Sequence, residues 1–302
     1  MLDFQPLGFQ QCVLNTIYGD IVYSTNDLEF WEIPLPKFPL VFLHSLGVGS
    51  SGYEWSKVYP AFATRYRIIA PDILGWGDSA HPKREYYPQD YLNLIRKLLM
   101  EVAVKPAWVV ASSLTAGLTI RLAIQEPHLF QGLFLVSPSG YRDFRNRDGQ
   151  DLISLFFSIT GFDRIIYELG AVNKFAVRTF LQRFLFAKYS YLSDEIVAAY
   201  LASAAKANSE YSALSSLKGN LYFDLAQYIP DLKVTTTFVW GEQSYFNSPH
   251  HGQKLALLNS QWIKSFHVIS GAGVLPHLEL PAIIIGLLDK YLGQTVKVDT
   301  NN

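Results

Sequence analysis

The chain has a single cysteine, Cys12. It can therefore form no internal disulfide and no Cys-based zinc site, and a reducing compartment is expected. Charge is also scarce: Asp, Glu, Lys and Arg make up 17% of 302 residues, where about 25% is ordinary for soluble domains. Neither sign dominates, since 25 basic residues meet 26 acidic ones for a net charge of -1. Without a concentrated basic face, nucleic acid is excluded as a partner. No basic segment followed by an apolar one opens the chain, so no signal peptide is expected. The longer apolar runs, such as Ala282 to Leu288, fall far short of the roughly 20 residues of a membrane span. A cytoplasmic protein without a transmembrane segment is the expectation. The sequence leaves oligomeric state and peripheral membrane contact open.

Cofactor signatures are missing as well. No G-x-G-x-x-G and no phosphate-binding Gly-Lys-Ser run follows a strand-like segment, so no nucleotide cofactor is expected. His250 and His251 are adjacent rather than four apart, and no H-E-x-x-H occurs, so no metal is expected either. No repeat of 20 to 50 residues exists, which removes solenoids and propellers.

What the chain does have is hydrophobic residues at 49% and aromatics at 15%, enough for a large core. Short β-rich runs recur at Pro39 to Leu43, Tyr66 to Ala70, Ala107 to Ala111, Gln131 to Ser137, Val234 to Trp240 and Ser265 to Ile269. Their near-continuous apolarity is that of strands buried on both faces of a parallel sheet. Helical spacing lies between them, at Glu54 to Ala63, Tyr87 to Val102, Thr115 to Gln125, Gly252 to Leu258 and Pro281 to Leu292. The alternation predicts βαβ crossovers and a single doubly wound α/β domain over 1–302. Phe9 to Tyr23 reads as a leading antiparallel pair. From 141 to 225 the alternation breaks into helical, aromatic sequence, which predicts a helical lid over the strand ends. A helical layer packed permanently on the sheet is the plainer reading of the same stretch.

The chemistry concentrates after Ala107 to Ala111, where a buried strand runs straight into Ser112, Ser113, Leu114, Thr115 and a helix. A serine on such a turn projects its hydroxyl above the sheet edge, although a serine there is also an ordinary helix N-cap. With the ordered segments LHSLG, YRIIAPDILGWGDS, VVASSLTAGLTIRLA, FVWGE and SGAGVLPHLELP, the chain resembles the α/β-hydrolase superfamily, in its lid-bearing esterase and lipase-like branch, over roughly residues 38 to 292. The resemblance implies an α/β-hydrolase fold, a mostly parallel doubly wound sheet with a helical lid insertion. It also implies a nucleophile at Ser113 and oxyanion donors at the Leu46 and Leu114 amides.

Two matching positions depart from the pattern. The usual acid position holds Ser244 and the usual base position holds Val274. Valine has no titratable atom, and a serine hydroxyl is a poor nucleophile without a base beside it. His277, three residues beyond Val274, is the candidate replacement base, with His44 behind it and Glu242 as a candidate carboxylate. The competing assignment makes His277 and Glu279 structural supports of the last helix. Two functions stay open: a serine hydrolase of a non-standard triad acting on an ester, thioester or related acyl bond of a hydrophobic small molecule, and a catalytically inactive relative that binds an apolar ligand or a partner protein. Phe156, Phe157, Phe162, Tyr167, Phe175, Phe180, Phe184, Phe186, Tyr189 and Tyr191 make the lid segment suited to a hydrophobic ligand.

Overall fold

A computed structural model describes residues 4–36, 38–145 and 173–299. Eight strands form one sheet: β1 (Phe9–Thr16), β2 (Gly19–Asn26), β3 (Pro39–Leu43), β4 (Arg67–Pro71), β5 (Ala107–Ser112), β6 (Phe130–Val136), β7 (Thr236–Gly241) and β8 (Ile263–Ile269), in spatial order β1-β2-β4-β3-β5-β6-β7-β8. β1 pairs with β2, and β2 with β4, antiparallel; every later pair is parallel. Each of the six expected sheet strands from Pro39 onward is present, with ends displaced by at most two residues.

The central strands read as unbroken apolar runs because each residue enters one of two cores. Val41 and Leu43 of β3 face one layer while Leu40 and Phe42 face the other. Val109 and Ala111 of β5, and Leu133 and Leu135 of β6, join the first layer; Trp108, Val110, Phe134 and Val136 join the second. The first layer is covered by α1 (Pro88–Lys97) and α2 (Ser113–Gln125), through side chains such as Leu92, Ile95, Leu118 and Leu122. The second is covered by Trp55, Tyr59 and Phe62 from two 3₁₀ turns and by Ile284, Leu288 and Leu292 near the C-terminus. Full burial of each such side chain contributes about 1.5–3 kcal/mol. The helix expected over Glu54 to Ala63 is instead those two turns, Gly52–Trp55 and Tyr59–Phe62, which let Trp55 and Phe62 both reach the sheet.

Between β6 and β7 the described residues contain three longer helices and no strand of the sheet: α3 (Lys174–Phe180), α4 (Asp194–Ala204) and α5 (Ser209–Leu217). Asn173 and Ser193 start α3 and α4 by accepting amide hydrogen bonds from the first turn, as N-cap residues do. Apolar side chains of this segment, among them Val177, Leu181, Ile196 and Val197, form a third cluster with Tyr53, Val274, Leu275 and Leu278. The segment thus packs on the loop that carries the expected base position. Phe156, Phe157, Phe162 and Tyr167 lie outside the described residues. After β7 come α6 (Pro249–Leu257) and, last, α7 (Pro281–Asp299). Among the described residues no helix is long and apolar enough to cross a membrane.

Candidate active site

Ser113 stands at the junction of β5 and α2 with φ of 55°. This left-handed conformation is uncommon for a residue with a Cβ and persists only where its surroundings hold it. Here they do, because β5 is locked between β3 and β6 and α2 begins at once. Close packing helps: a Cβ on Gly117 would lie 2.6 Å from the Ser139 carbonyl oxygen, so α2 can approach the β6 exit only with glycine there.

A mostly apolar cavity of about 90 Å3, open to solvent, lies above this turn. Ser113, Leu46, Ser45, Tyr141 and Val274 all line it, with Phe180, Leu185 and Phe246 among its apolar walls. Leu114 follows Ser113 in the first turn of α2, where amides have no acceptor within the helix. The structure therefore brings Ser113, Leu46 and Val274 to one cavity.

It does not bring His277 to Ser113. The Ser113 hydroxyl lies 2.8 Å from the Tyr141 hydroxyl, and either oxygen can donate. Burial raises the Tyr141 pKa, outweighing the hydrogen bond from Ser113, so the phenol stays neutral and is no base. His277 is fully buried on the short turn Pro276–Glu279, stacked on Trp55 at 4.0 Å between ring centroids, and does not line the cavity. Its Nε2 lies 3.9 Å from Glu54 Oε2, and neither ring nitrogen has a hydrogen-bond partner among the described residues.

Among the described residues no other histidine lines the cavity or hydrogen-bonds to the Ser113 hydroxyl. His44 accepts the Ile73 amide at Nε2, 2.8 Å, which leaves Nδ1 to donate to the Ser45 carbonyl at 2.6 Å. With both nitrogens engaged by backbone it has no lone pair for a substrate proton. His267 pairs with the Tyr291 hydroxyl, and His250 is exposed. His251 is half-buried against Phe144, 3.5 Å from Asp143. Glu242 is exposed and accepts from the Ser270 hydroxyl and the Gly271 amide, which lowers its pKa and commits it to the loop after β8.

Glu54 is the group the sequence reasoning missed. Fully buried, it accepts the Ser45 amide and the Ser45 hydroxyl, each at 2.8 Å, and the Tyr200 hydroxyl at 2.9 Å. Burial works to raise its pKa, but the neighbouring His277 and His44 rings and the Ser45 amide outweigh it and hold the carboxyl at about 2. The signal was present in GYEW, a lone carboxylate between two aromatic residues, yet nothing local identifies its partners. Glu279 behaves in the opposite way. It accepts the Gly273 and Ala187 amides at 2.6 and 2.7 Å, but burial dominates and lifts it to about 7.

The chain matches the alpha/beta hydrolase family over residues 40–286 and belongs to that family. Among curated relatives it is similar to 2-hydroxymuconate semialdehyde hydrolase of Pseudomonas sp. (strain CF600), 31% identical over 38% of this chain and 41% of that one. Soluble epoxide hydrolase of Corynebacterium sp. (strain C12) is 30% identical over 33% of this chain and 34% of that one. The first relatives, from Mycobacterium, are uncharacterized, 36% identical over 31% of this chain and 28% of their own length. These matches span roughly a third of the curated relatives. Whole-chain likeness comes from solved structures. A thermophilic esterase from Thermogutta terrifontis superposes with a TM-score of 0.73 at 16% identity, covering 95% of this chain and 99% of that one. Carboxylesterase CesB from Bacillus subtilis gives 0.73 at 16% identity over 96% and 93%. At such identities the likeness is one of fold.

Proposed function

We propose that this protein is a cytoplasmic hydrolase of an ester, thioester or related acyl bond in an apolar small molecule, with Ser113 as nucleophile, the Leu46 and Leu114 amides as oxyanion donors and segment 141–225 as a lid. The observation that carries this reading is the left-handed φ of Ser113 at the mouth of an apolar cavity shared with Leu46. Such strain is characteristic of functional positions. In this reading His277 supplies the base by leaving Trp55, a step favoured by the cost of two unpartnered ring nitrogens in a buried site.

One observation favours a second reading. With Val274 at the base position and a neutral Tyr141 on the Ser113 hydroxyl, the resting site has no proton acceptor for acylation among the described residues. The chain would then hold an apolar carbonyl compound without turning it over.

A fluorophosphonate that labels activated serines separates the two, applied to the wild type, Ser113→Ala and His277→Ala. Stoichiometric labelling lost in both variants supports the hydrolase with His277 as base. Labelling lost only in Ser113→Ala supports a hydrolase with another base. An unlabelled wild type that still binds an apolar carbonyl compound establishes the binding protein and overturns the hydrolase.

A further inference from the structure

The cavity has a polar feature that the hydrolase pattern does not use. Beside Leu46 stands Ser45, whose hydroxyl lies 2.8 Å from Glu54 Oε1 and 2.8 Å from the Ser50 hydroxyl. Hydrogen accounting fixes the directions. Glu54 is ionised and can only accept, so the one Ser45 proton goes to it. The contact with Ser50 must then be a donation from Ser50 to Ser45. Of the two Ser45 lone pairs one is occupied by Ser50, and one is left over at a residue that lines the cavity. No rotation of the hydroxyl turns Ser45 into a donor without breaking its bond to a buried carboxylate, a charge-assisted bond of the stronger kind.

Ser113 and Tyr141, which line the same cavity, have the complementary character. Ser113 and Tyr141 carry two hydroxyl protons and use one between them, which leaves one to donate. In the proposed reading the Leu46 and Leu114 amides add donors for a carbonyl oxygen. A ligand head that satisfies both sets of groups must accept from one and donate to the other. An alkyl ester has no donor for Ser45. A carboxylate has none either, and its charge is repelled by ionised Glu54 directly behind Ser45. We propose that the cavity selects a neutral head group carrying a hydrogen-bond donor beside its carbonyl, with Ser45 accepting that donor, and that a carboxamide on an apolar chain is the simplest such group. This rests on the reading that the cavity holds an apolar carbonyl compound, and it holds whether or not the compound is cleaved.

Binding of decanamide, methyl decanoate and decanoate to the wild type, Ser45→Ala and Ser113→Ala, by calorimetry, tests it. For the wild type the amide is expected to bind about tenfold or more tightly than the ester, the scale of one buried hydrogen bond, and the carboxylate weakest. Ser45→Ala should bring amide and ester to within about twofold of each other, while Ser113→Ala weakens both and leaves their ratio. The wild-type ranking needs no variant, so a poorly folding Ser45→Ala does not spare the proposal. Equal binding of amide and ester, tightest binding of decanoate, or a preference that survives in Ser45→Ala overturns it while leaving the cavity reading intact. Failure of all three compounds to bind overturns the cavity reading and this one together.

Discussion

Ser113 and Glu54 hold opposite kinds of tension. The serine is strained in its backbone with its hydroxyl held by Tyr141, whereas the glutamate is buried with a full charge. Restoring the expected acid and base should raise the reactivity of the serine. Val274→His together with Ser244→Asp is expected to raise p-nitrophenyl butyrate hydrolysis by at least about tenfold over wild type, and adding Ser113→Ala should abolish the gain. An unchanged rate would mean that Tyr141 keeps the hydroxyl from the new imidazole. For Glu54, replacement by Gln removes a charged acceptor from three donors and should cost about 3 kcal/mol, read as a lower urea midpoint. The wild-type pH dependence has a definite sign. Because the folded carboxyl titrates at about 2, below its ordinary 4.5, its stabilisation is complete above pH 4.5 and is lost as pH falls toward 2. Glu54→Gln should flatten the urea midpoint across that acid window.

Among the elements, the end of β7, the loop after β8 and the stretch following α3 are joined by backbone contacts that admit no bulk. A Cβ on Gly241 would sit 1.8 Å from the Gly273 carbonyl oxygen, so Gly241→Ala is expected to be insoluble or to lose more than about 3 kcal/mol. Glu279 joins the same pieces, and Val274 adds its own amide bond to the Leu185 carbonyl at 2.9 Å. Its linkage runs opposite to that of Glu54. Burial raises Glu279 from 4.5 to about 7, so the folded chain binds the extra proton between those values and loses stability as pH rises through them. In Glu279→Gln the decline between pH 5 and 7 should shrink. If hydrogen exchange shows that the Ala187 and Gly273 amides are no more protected in the wild type than in Glu279→Ala, the clasp does not exist in solution.

At the scale of the whole molecule, the sheet was legible because each central strand is buried on both faces and so reads as an uninterrupted apolar run. Pro39–Leu43 is the clearest case, where the expected and observed bounds coincide. The turns at Gly52–Trp55 and Tyr59–Phe62 were misread as one helix because Trp55 and Phe62 fall seven apart, a helical interval, although their common target is the sheet. The line of Ser113, Leu46 and Val274 along one cavity followed from segment order. Tyr141, Ser45 and Glu54 did not, since their partners lie in other segments and only folding brings Glu54 beside both Ser45 and Tyr200, 146 residues away. The face-to-face stacking of Trp55 on His277 carries one last implication, for observation rather than for chemistry. An indole emits according to what lies against its face, so the molecule contains its own optical gauge of whether that imidazole stays at rest or departs when a ligand arrives.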